Sequence, residues 1–222
     1  MIRLHVVVEG QTEEAFVNAV VVDHLGHFDI STDVRVVETG PGHKGGVLRY
    51  DRARRDLGRW LKEDQNHDAR FTTLFDLYAL PATFPDFEKT RHLPPRDRVR
   101  ALEAAFGKDV DDRRFVPHLQ LHEFEALVLC GLPQLATRFI EHRKAIEELA
   151  VELSAFDSPE LVDDGVATAP SKRIIAKVPE YAGAKVSAGP LVAAQVGLTT
   201  LREKCPHFHS WISSLEHRVD VT

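Results

Sequence analysis

The segment IRLHVVV, residues 2–8, constrains the fold more than any other part of the sequence. It is short, nearly all apolar and rich in β-branched residues, which is typical of a strand buried on both faces of a parallel sheet. Gly10 permits a sharp turn after it, and Thr12 can cap a helix whose first turn contains Glu13 and Glu14. The segment therefore predicts a strand, a turn and a helix, the first unit of an α/β protein.

The same alternation continues along the first half of the chain. Further short apolar strands are predicted at residues 34–37, 71–75 and 115–121. Pro117 marks the last of them as an edge strand or the site of a bulge, because proline cannot donate to a sheet ladder. Helical periodicity lies between these strands, from Val47 onward and over residues 98–110. Such alternation indicates a mostly parallel sheet with right-handed crossovers.

The second half of the chain has helically spaced apolar residues. We therefore predict the α/β class, with a Rossmann-like, mostly parallel four-stranded sheet over residues 1–130 and a helical extension over residues 131–222. The extension is expected to pack on the core, so that both parts form one structural domain. At 222 residues and 43% hydrophobic, the chain is long enough to bury such a core.

Charge and cysteine content exclude some classes of function. The formal net charge of -6 gives no global attraction for nucleic acid, so a polyanion must bind at a local basic surface. Two cysteines without a CxxC pair exclude a zinc finger and fit a reducing cytosol. The N-terminal apolar run is too short for a signal peptide or a membrane span. We expect a cytoplasmic protein without a membrane partner, and its oligomeric state is left open.

Acids follow three of the four predicted strands. Glu9 follows the first, Asp76 follows the third, and His122 with Glu123 and Glu125 follows the fourth. The carboxyl ends of parallel strands meet at one rim of a sheet, where ligands bind. Carboxylates gathered there repel one another unless a cation is bound, and an oxygen-rich site selects Mg²⁺, Mn²⁺ or Ca²⁺ rather than zinc. The pattern predicts phosphoryl transfer or phosphodiester hydrolysis at this rim.

The positions of two of these acids can be explained without a metal site. Glu13 is favoured in a first helical turn by the helix dipole alone. Glu123 and Glu125 are not expected to share the apolar face beside Phe124, so one of them is predicted to be an ordinary helix-start acid.

A basic segment precedes and enters the second predicted helix. From His43 to Lys62 there are seven lysines and arginines against two aspartates, a local charge of +5. Such a run is commonly a solvated helix face, but it can also bind a nucleic-acid backbone. Later in the chain, PSKRIIAKVPEYAGAK adds more cations. The predicted backbone-binding residues are Lys44, Arg52, Arg55, Arg59, Lys172 and Arg173.

The stretch VVVEGQTEEAF resembles the first signature of the Toprim fold, which topoisomerases, primases and the nucleases of the overcoming-lysogenization-defect (OLD) family share. In the OLD branch a second acid lies four residues after the first, in an EGxTE pattern, and here those positions are Glu9 and Glu13. The chain also resembles a bacterial family described as domain of unknown function 4276. That resemblance lies in VEGQTEEAFV, KGGVLRYDRARRDL, FDLYALP, FPDFE, PHLQLHEFEALV, APSKRI and CPHFHSWISSLE.

The resemblance implies a Toprim-like fold and a DNA nuclease that depends on Mg²⁺ or Mn²⁺. Glu9 and Asp76 are expected to hold the catalytic cation, and Glu13 with Glu123 a second one where two are present. His122 is a further candidate ligand. The resemblance also implies a late catalytic lysine, Lys185 or Lys172. Because OLD-like nucleases often work with an ATPase, we expect a separate ATPase partner, in phage defence or DNA repair.

One position departs from the Toprim pattern. These proteins usually carry Asp-x-Asp after the third strand, whereas Tyr78 stands at the second place here. Either one metal suffices, or Asp86 or Glu123 completes a second site. Tyr78 and the negative net charge also favour an alternative, a non-catalytic regulatory module whose acids bind a structural cation or a partner. A small-molecule phosphohydrolase is a third alternative.

Overall fold

The computed structural model describes residues 1–40, 43–44, 49–78, 80–162, 165 and 168–217, and for residues 38–40 and 43–44 the backbone alone. It is an α/β structure with one main parallel sheet. The strands are β1 Ile2–Val8, β2 Ile30–Val36, β3 Glu38–Gly40, β4 His43–Lys44, β5 Ala69–Asp76, β6 Phe115–Val116 and β7 Leu119–Gln120. The main sheet has the order β2-β1-β5-β6, with β7 also paired to β5, and β3 and β4 form a separate antiparallel pair.

The sheet is buried on both faces, as the first strand predicts. Val8 and Leu74 belong to one hydrophobic core, whereas Val7 and Phe75 belong to a second core on the opposite face. Successive side chains of a strand point to opposite faces, so a strand between two cores is mostly apolar on both faces. The buried polar side chain of β1, His5, pairs with Asp64 at 2.9 Å. The expectation for β1 is therefore confirmed.

Two strand predictions need adjustment. The second strand begins at Ile30 rather than at residue 34, because its first half alternates exposed and shielded side chains and carries Ser31 and Asp33. The fourth is broken by Pro117 into β6 and β7 at the edge of the sheet, which confirms its expected position there. In the break, the Thr73 hydroxyl donates to the His118 carbonyl (2.8 Å) and accepts from the His118 N–H (3.0 Å), which replaces the missing ladder bonds.

Helices cover both faces of the sheet and make up the C-terminal part of the chain. One long helix combines α1 Gln11–Phe16, a π-helical stretch Val17–Val21 and α2 Val22–Gly26. The other α-helices are α3 Tyr50–Glu63, α4 Phe87–Thr90, α5 Pro95–Val110, α6 Glu125–Leu129, α7 Leu132–Arg138, α8 Arg143–Leu153, α9 Pro170–Lys177, α10 Tyr181–Val196, α11 Leu198–Lys204 and α12 Pro206–Glu216. Short 3₁₀ turns span Ile140–His142 and Pro159–Leu161.

The C-terminal helices share a core with the sheet. Phe208, Tyr181 and Val192 pack in the same core as Phe16 and Leu74. Helices α3 and α5 instead cover the opposite face, in the second core. In the described part of the chain, no helix is both long enough and apolar enough to cross a membrane.

Candidate functional site

Glu9 and Asp76 meet at the carboxyl ends of two adjacent strands. Val8 of β1 lies beside Leu74 of β5 in the parallel register, so the residues that follow emerge at the same rim. The Asp76 backbone N–H donates to Glu9 Oε2 at 3.4 Å. The structure thus brings together the two acids that strand order alone predicts to converge.

The turn after β1 adds a third carboxylate. Glu13 lies in the first turn of α1, and its Oε2 accepts from the Gly10 N–H at 3.0 Å. A Cβ at Gly10 would lie only 3.3 Å from the same oxygen, so the glycine leaves room for this carboxylate. The bond caps α1, as the helix-start explanation of Glu13 predicts, but it also holds the side chain toward the rim.

A turn after β7 brings the HEFEAL segment to the same rim. His122 is buried and has a left-handed backbone, with φ 64, and its carbonyl accepts from the Tyr78 N–H at 2.8 Å. Two residues later, the Phe124 N–H donates to Asp76 Oδ1 at 2.9 Å. The chain therefore crosses the rim before α6 begins at Glu125.

Helices of the C-terminal part complete the site. The backbone N–H and hydroxyl of Ser171, at the start of α9, donate to Glu123 at 2.8 and 3.2 Å. Lys185 of α10 lies 3.2 Å from Glu125 Oε1. Of the two lysines proposed for the rim, Lys185 is the one with a contact to these acids, whereas Lys172 is exposed on α9.

One sequence expectation at this site is wrong. Glu123 and Glu125 are both buried, at 7% and 4% exposure, so neither is an ordinary solvent-facing helix-start acid. The expectation assumed helical spacing, but His122 is left-handed and the helix starts only at Glu125. We call Glu9, Glu13, Asp76, Glu123 and Glu125 the acidic rim.

The carboxylates of the acidic rim perturb one another. Burial raises the pKa of Asp76 well above its ordinary value, and Glu13 and Glu9 raise it further. Glu125 and Glu123 act in the same direction. Burial and then the Glu13 charge raise the pKa of Glu9 to about 8, against a weaker opposing effect of the bond from Asp76. Mutual repulsion of this kind requires the carboxyl groups to be close together.

In the described part of the chain, the positive charge of Lys185 offsets little of the effect of burial on the pKa values of the acidic rim. Burial raises the pKa of Glu13 to about 6, an effect that Lys185 only reduces. Burial likewise raises the pKa of Glu125 despite its ion pair with Lys185. The hydroxyl of Tyr181, also on α10, is buried near these acids, and burial followed by the charges of Glu125 and Glu123 raises its pKa. Without a further positive charge, the raised pKa values favour the neutral form of some of these carboxyl groups.

Most of the predicted backbone-binding residues lie elsewhere. Helix α3 packs in the second core, and its exposed arginines pair within the helix: Arg55 lies 3.8 Å from Asp51, and Arg59 lies 3.7 Å from Asp56. Arg52 is partly buried on the same helix. The side chain of Lys44 lies outside the described residues.

Two further basic residues have structural partners. Arg173 donates from Nε to the Thr168 carbonyl at 2.8 Å and lies over the Phe156 ring. Arg54, the basic residue on the apolar side of α3, pairs with Asp109 of α5 at 2.8 Å. These contacts indicate that both side chains fasten neighbouring segments together.

A second metal site would depend on Tyr78, Asp86 and Glu123, because Tyr78 replaces the usual second aspartate and either acid could complete the site instead. The Tyr78 side chain is 41% exposed. The Asp86 carboxylate pairs with Lys89 at 2.5 Å, within the short helix α4. Glu123 lies in the acidic rim, but both of its oxygens already accept from Ser171.

Comparison with known proteins finds one family. The family model described as "Domain of unknown function (DUF4276)" matches residues 8–216. No curated protein and no solved structure matches the chain.

Proposed function

The chain belongs to the DUF4276 family, and from that premise we propose that it is a metal-dependent nuclease that hydrolyses phosphodiester bonds of DNA at the acidic rim. The observation that carries the proposal is the raised pKa of Glu9 and Asp76 on adjacent strand ends. Carboxylates repel in this way when the positive charge that balances them comes from outside the chain.

The residues present fit Mg²⁺ or Mn²⁺. All the donors of the acidic rim are carboxylate oxygens, which are the ligands that hard divalent cations prefer, and Lys185 is the cation that the described contacts pair with them. When bound, such a cation lowers the pKa of a water molecule and polarises a phosphate oxygen.

The partners already present divide the five acids into two groups. Glu123 is held by Ser171, and Glu125 is held by Lys185. Among the described residues, the hydrogen bonds of Glu9 and Asp76 are with backbone N–H groups, so these two acids are the proposed ligands of the cation, and Glu13 supports them. This division, together with Tyr78, favours a single catalytic cation. His122, buried at the turn, is retained as a proposed additional ligand.

Proton transfer is assigned to Glu9. A bound cation would hold the Glu9 carboxylate in its ionised form, in which it can orient a water molecule and accept a proton from it. Lys185, fixed by Glu125, is proposed to stabilise negative charge that develops on the phosphate.

The substrate and partners rest on the resemblance to OLD-like nucleases. The EGQTE segment directs Glu9 and Glu13 to one rim, the arrangement that the resemblance implies. DNA as the substrate, a separate ATPase partner, a role in phage defence or DNA repair and a cytoplasmic location are proposed on that ground. Lys172, exposed next to Ser171, is a proposed backbone contact beside the rim, and Arg52, Arg55 and Arg59 on α3 form a second proposed surface.

The test is plasmid nicking by purified protein with Mg²⁺ or Mn²⁺. The parent protein is expected to nick the plasmid, and Glu9→Gln to lower the rate by about 100-fold or more, since it removes a metal ligand and a proton acceptor. Glu14→Gln is the matched control, because it removes the same charge from the neighbouring part of α1 outside the acidic rim, and it is expected to keep the parent rate.

Equal rates for the parent and Glu9→Gln would contradict the proposal. A second candidate function, a regulatory module with a structural cation, is favoured by the anchoring of Glu123 and Glu125. It predicts a Mg²⁺-dependent rise in melting temperature that Glu9→Gln removes, without nicking by any variant.

A further inference from the structure

A second group of titratable side chains lies away from the acidic rim. Glu103 of α5, His118 in the break between β6 and β7, and His207 in the first turn of α12 come together there. Glu103 Oε1 lies 3.4 Å from His118 Nδ1 and 2.9 Å from His207 Nε2. One potential ligand atom from each residue lies within 4.8 Å of the others. We call these three residues the His-Glu cluster.

The surrounding structure fixes the His118 ring and the Trp211 ring on which it stacks. His118 stacks on Trp211, with ring centroids 4.5 Å apart and planes 7° apart, and its backbone is bonded to Thr73. The Trp211 Nε1 donates to the Thr72 hydroxyl at 2.8 Å. A ligand held by such packing does not lose conformational freedom when a metal binds.

Helix α12, which carries His207, is anchored by another buried acid, Glu160. The Glu160 carboxylate accepts from the backbone N–H groups of His207 and Phe208, both at 2.9 Å, and so caps α12. Glu103 is also oriented by the backbone, because its Oε1 accepts from the Leu119 N–H at 2.9 Å. All three side chains of the His-Glu cluster are therefore preoriented toward a common point.

We propose that Glu103, His118 and His207 bind Zn²⁺ or a similar divalent transition metal. Two imidazole nitrogens and a carboxylate oxygen form a donor set typical of zinc, in contrast to the oxygen-only acidic rim. Bonds of about 2.0–2.1 Å place tetrahedral ligands about 3.3 Å apart. The two distances to Glu103 Oε1, 2.9 and 3.4 Å, therefore need to change by only a few tenths of an ångström, and the two histidine ligand atoms lie within 4.8 Å of each other.

The pKa values of His118 and Glu103 suit metal ligands, whereas His207 must release a proton on binding, because the hydrogen bond and charge of Glu103 outweigh burial and raise its pKa. Burial lowers the pKa of His118 to about 4, so the ring is neutral, as a ligand must be. Burial alone would raise the pKa of Glu103, but the hydrogen bonds from His118 and His207 lower it to about 2 and keep the carboxylate charged.

The bound metal would link three segments that are distant in the sequence. It would join α5, which covers one face of the sheet, to the β6–β7 edge and to α12 of the C-terminal part. Binding to the folded protein alone stabilises it by mass action. The site is independent of the nuclease proposal, since it shares no residue with the acidic rim.

The test is zinc binding by the full chain stripped of metals and held in excess Mg²⁺, which occupies the hard oxygen sites. Calorimetry is expected to show one equivalent of bound Zn²⁺, and thermal melting to show a higher melting temperature. His207→Gln should weaken binding at least about tenfold. His209→Gln is the matched control, because His209 is an exposed histidine two residues along the same helix and should leave binding unchanged.

Two results would overturn the proposal. One is an absence of Zn²⁺ binding by a folded parent protein, which would identify the cluster as a hydrogen-bonded network alone. The other is undiminished binding by His207→Gln together with Glu103→Gln. Co²⁺ substitution gives an independent measure, since a spectrum with thiolate bands would assign the metal to Cys130 and Cys205 instead, whose sulfur atoms lie 3.4 Å apart.

Discussion

Asp76 and Glu103 are both partly buried carboxylates, yet their pKa values shift in opposite directions. At the acidic rim, burial and neighbouring acids raise the pKa of Asp76. In the His-Glu cluster, hydrogen bonds from two imidazoles outweigh burial and lower the pKa of Glu103 to about 2. The neighbours of a shielded carboxylate therefore decide whether its charge costs or contributes free energy of folding.

The His-Glu cluster and the acidic rim differ in how the negative charge of their buried acids is balanced. The His-Glu cluster contains its own positive charge and fastens α5 to α12. In the described part of the chain, the acidic rim has more carboxylates than Lys185 balances, and burial and mutual repulsion raise their pKa values. Strain retained in this way is characteristic of functional sites rather than of structural ion pairs.

The largest expected effect is the pH dependence of stability without divalent cations. Glu9 has a pKa of about 8 in the folded protein against an ordinary value of 4.5, so it favours folding below pH 4.5 and loses that contribution as the pH rises through 8. The loss is on the order of 4 kcal/mol. Denaturant unfolding at pH 4.5 and 9 should show it, as the difference between the parent and Glu9→Gln, and Mg²⁺ should suppress it.

Glu9→Gln is the control for this prediction. His207 also has a raised pKa and loses stabilisation in the same direction, but it is present in both proteins, so the difference between them reports the rim. Equal pH dependence in the parent and Glu9→Gln would remove the contrast between the two regions.

The next effect is the loss of stability in Glu103→Gln. The amide keeps the shape of the side chain but removes its negative charge. That charge pairs with His207 and strengthens the hydrogen bond that Glu103 accepts from His118. The free energy of unfolding at pH 7 is expected to fall by about 3 kcal/mol. Urea unfolding of the metal-stripped protein measures it, and a change below about 0.5 kcal/mol would contradict the assigned role.

The smallest effect is expected for Asp76→Asn, the matched substitution at the rim. Burial and the neighbouring acids raise the pKa of Asp76 well above its ordinary value, so its charge is costly without cations, and an amide oxygen can still accept from the Phe124 N–H. Stability should therefore stay the same or rise by up to about 1 kcal/mol, while Mg²⁺ no longer stabilises the variant. A loss like that of Glu103→Gln would show that the Asp76 charge is compensated within the chain.

The sequence predicts the centre of the acidic rim because topology alone determines it. Glu9 and Asp76 follow buried strands, and parallel strands end at one rim whatever the details of packing. Lys185 was expected only from the family resemblance, since its partner Glu125 lies in a different helix. Glu125 was named among the converging acids but left out of the predicted ligands, because helical spacing was assumed before the helix begins.

The His-Glu cluster has no comparable signal in the sequence. Glu103 sits in the middle of a helix, His118 follows a proline in an edge strand, and His207 follows another proline at a helix start. Their meeting depends on how α12 packs beside the sheet edge. Neither periodicity nor motif spacing contains that information.

The attachment of Glu123 to Ser171 and of Glu125 to Lys185 limits how this protein can be divided or recombined. Grafting the sheet and its following acids onto helices from an unrelated chain would separate Glu123 from Ser171 and Glu125 from Lys185. A recombined protein must therefore carry both members of each pair if these two acids are to keep their surroundings.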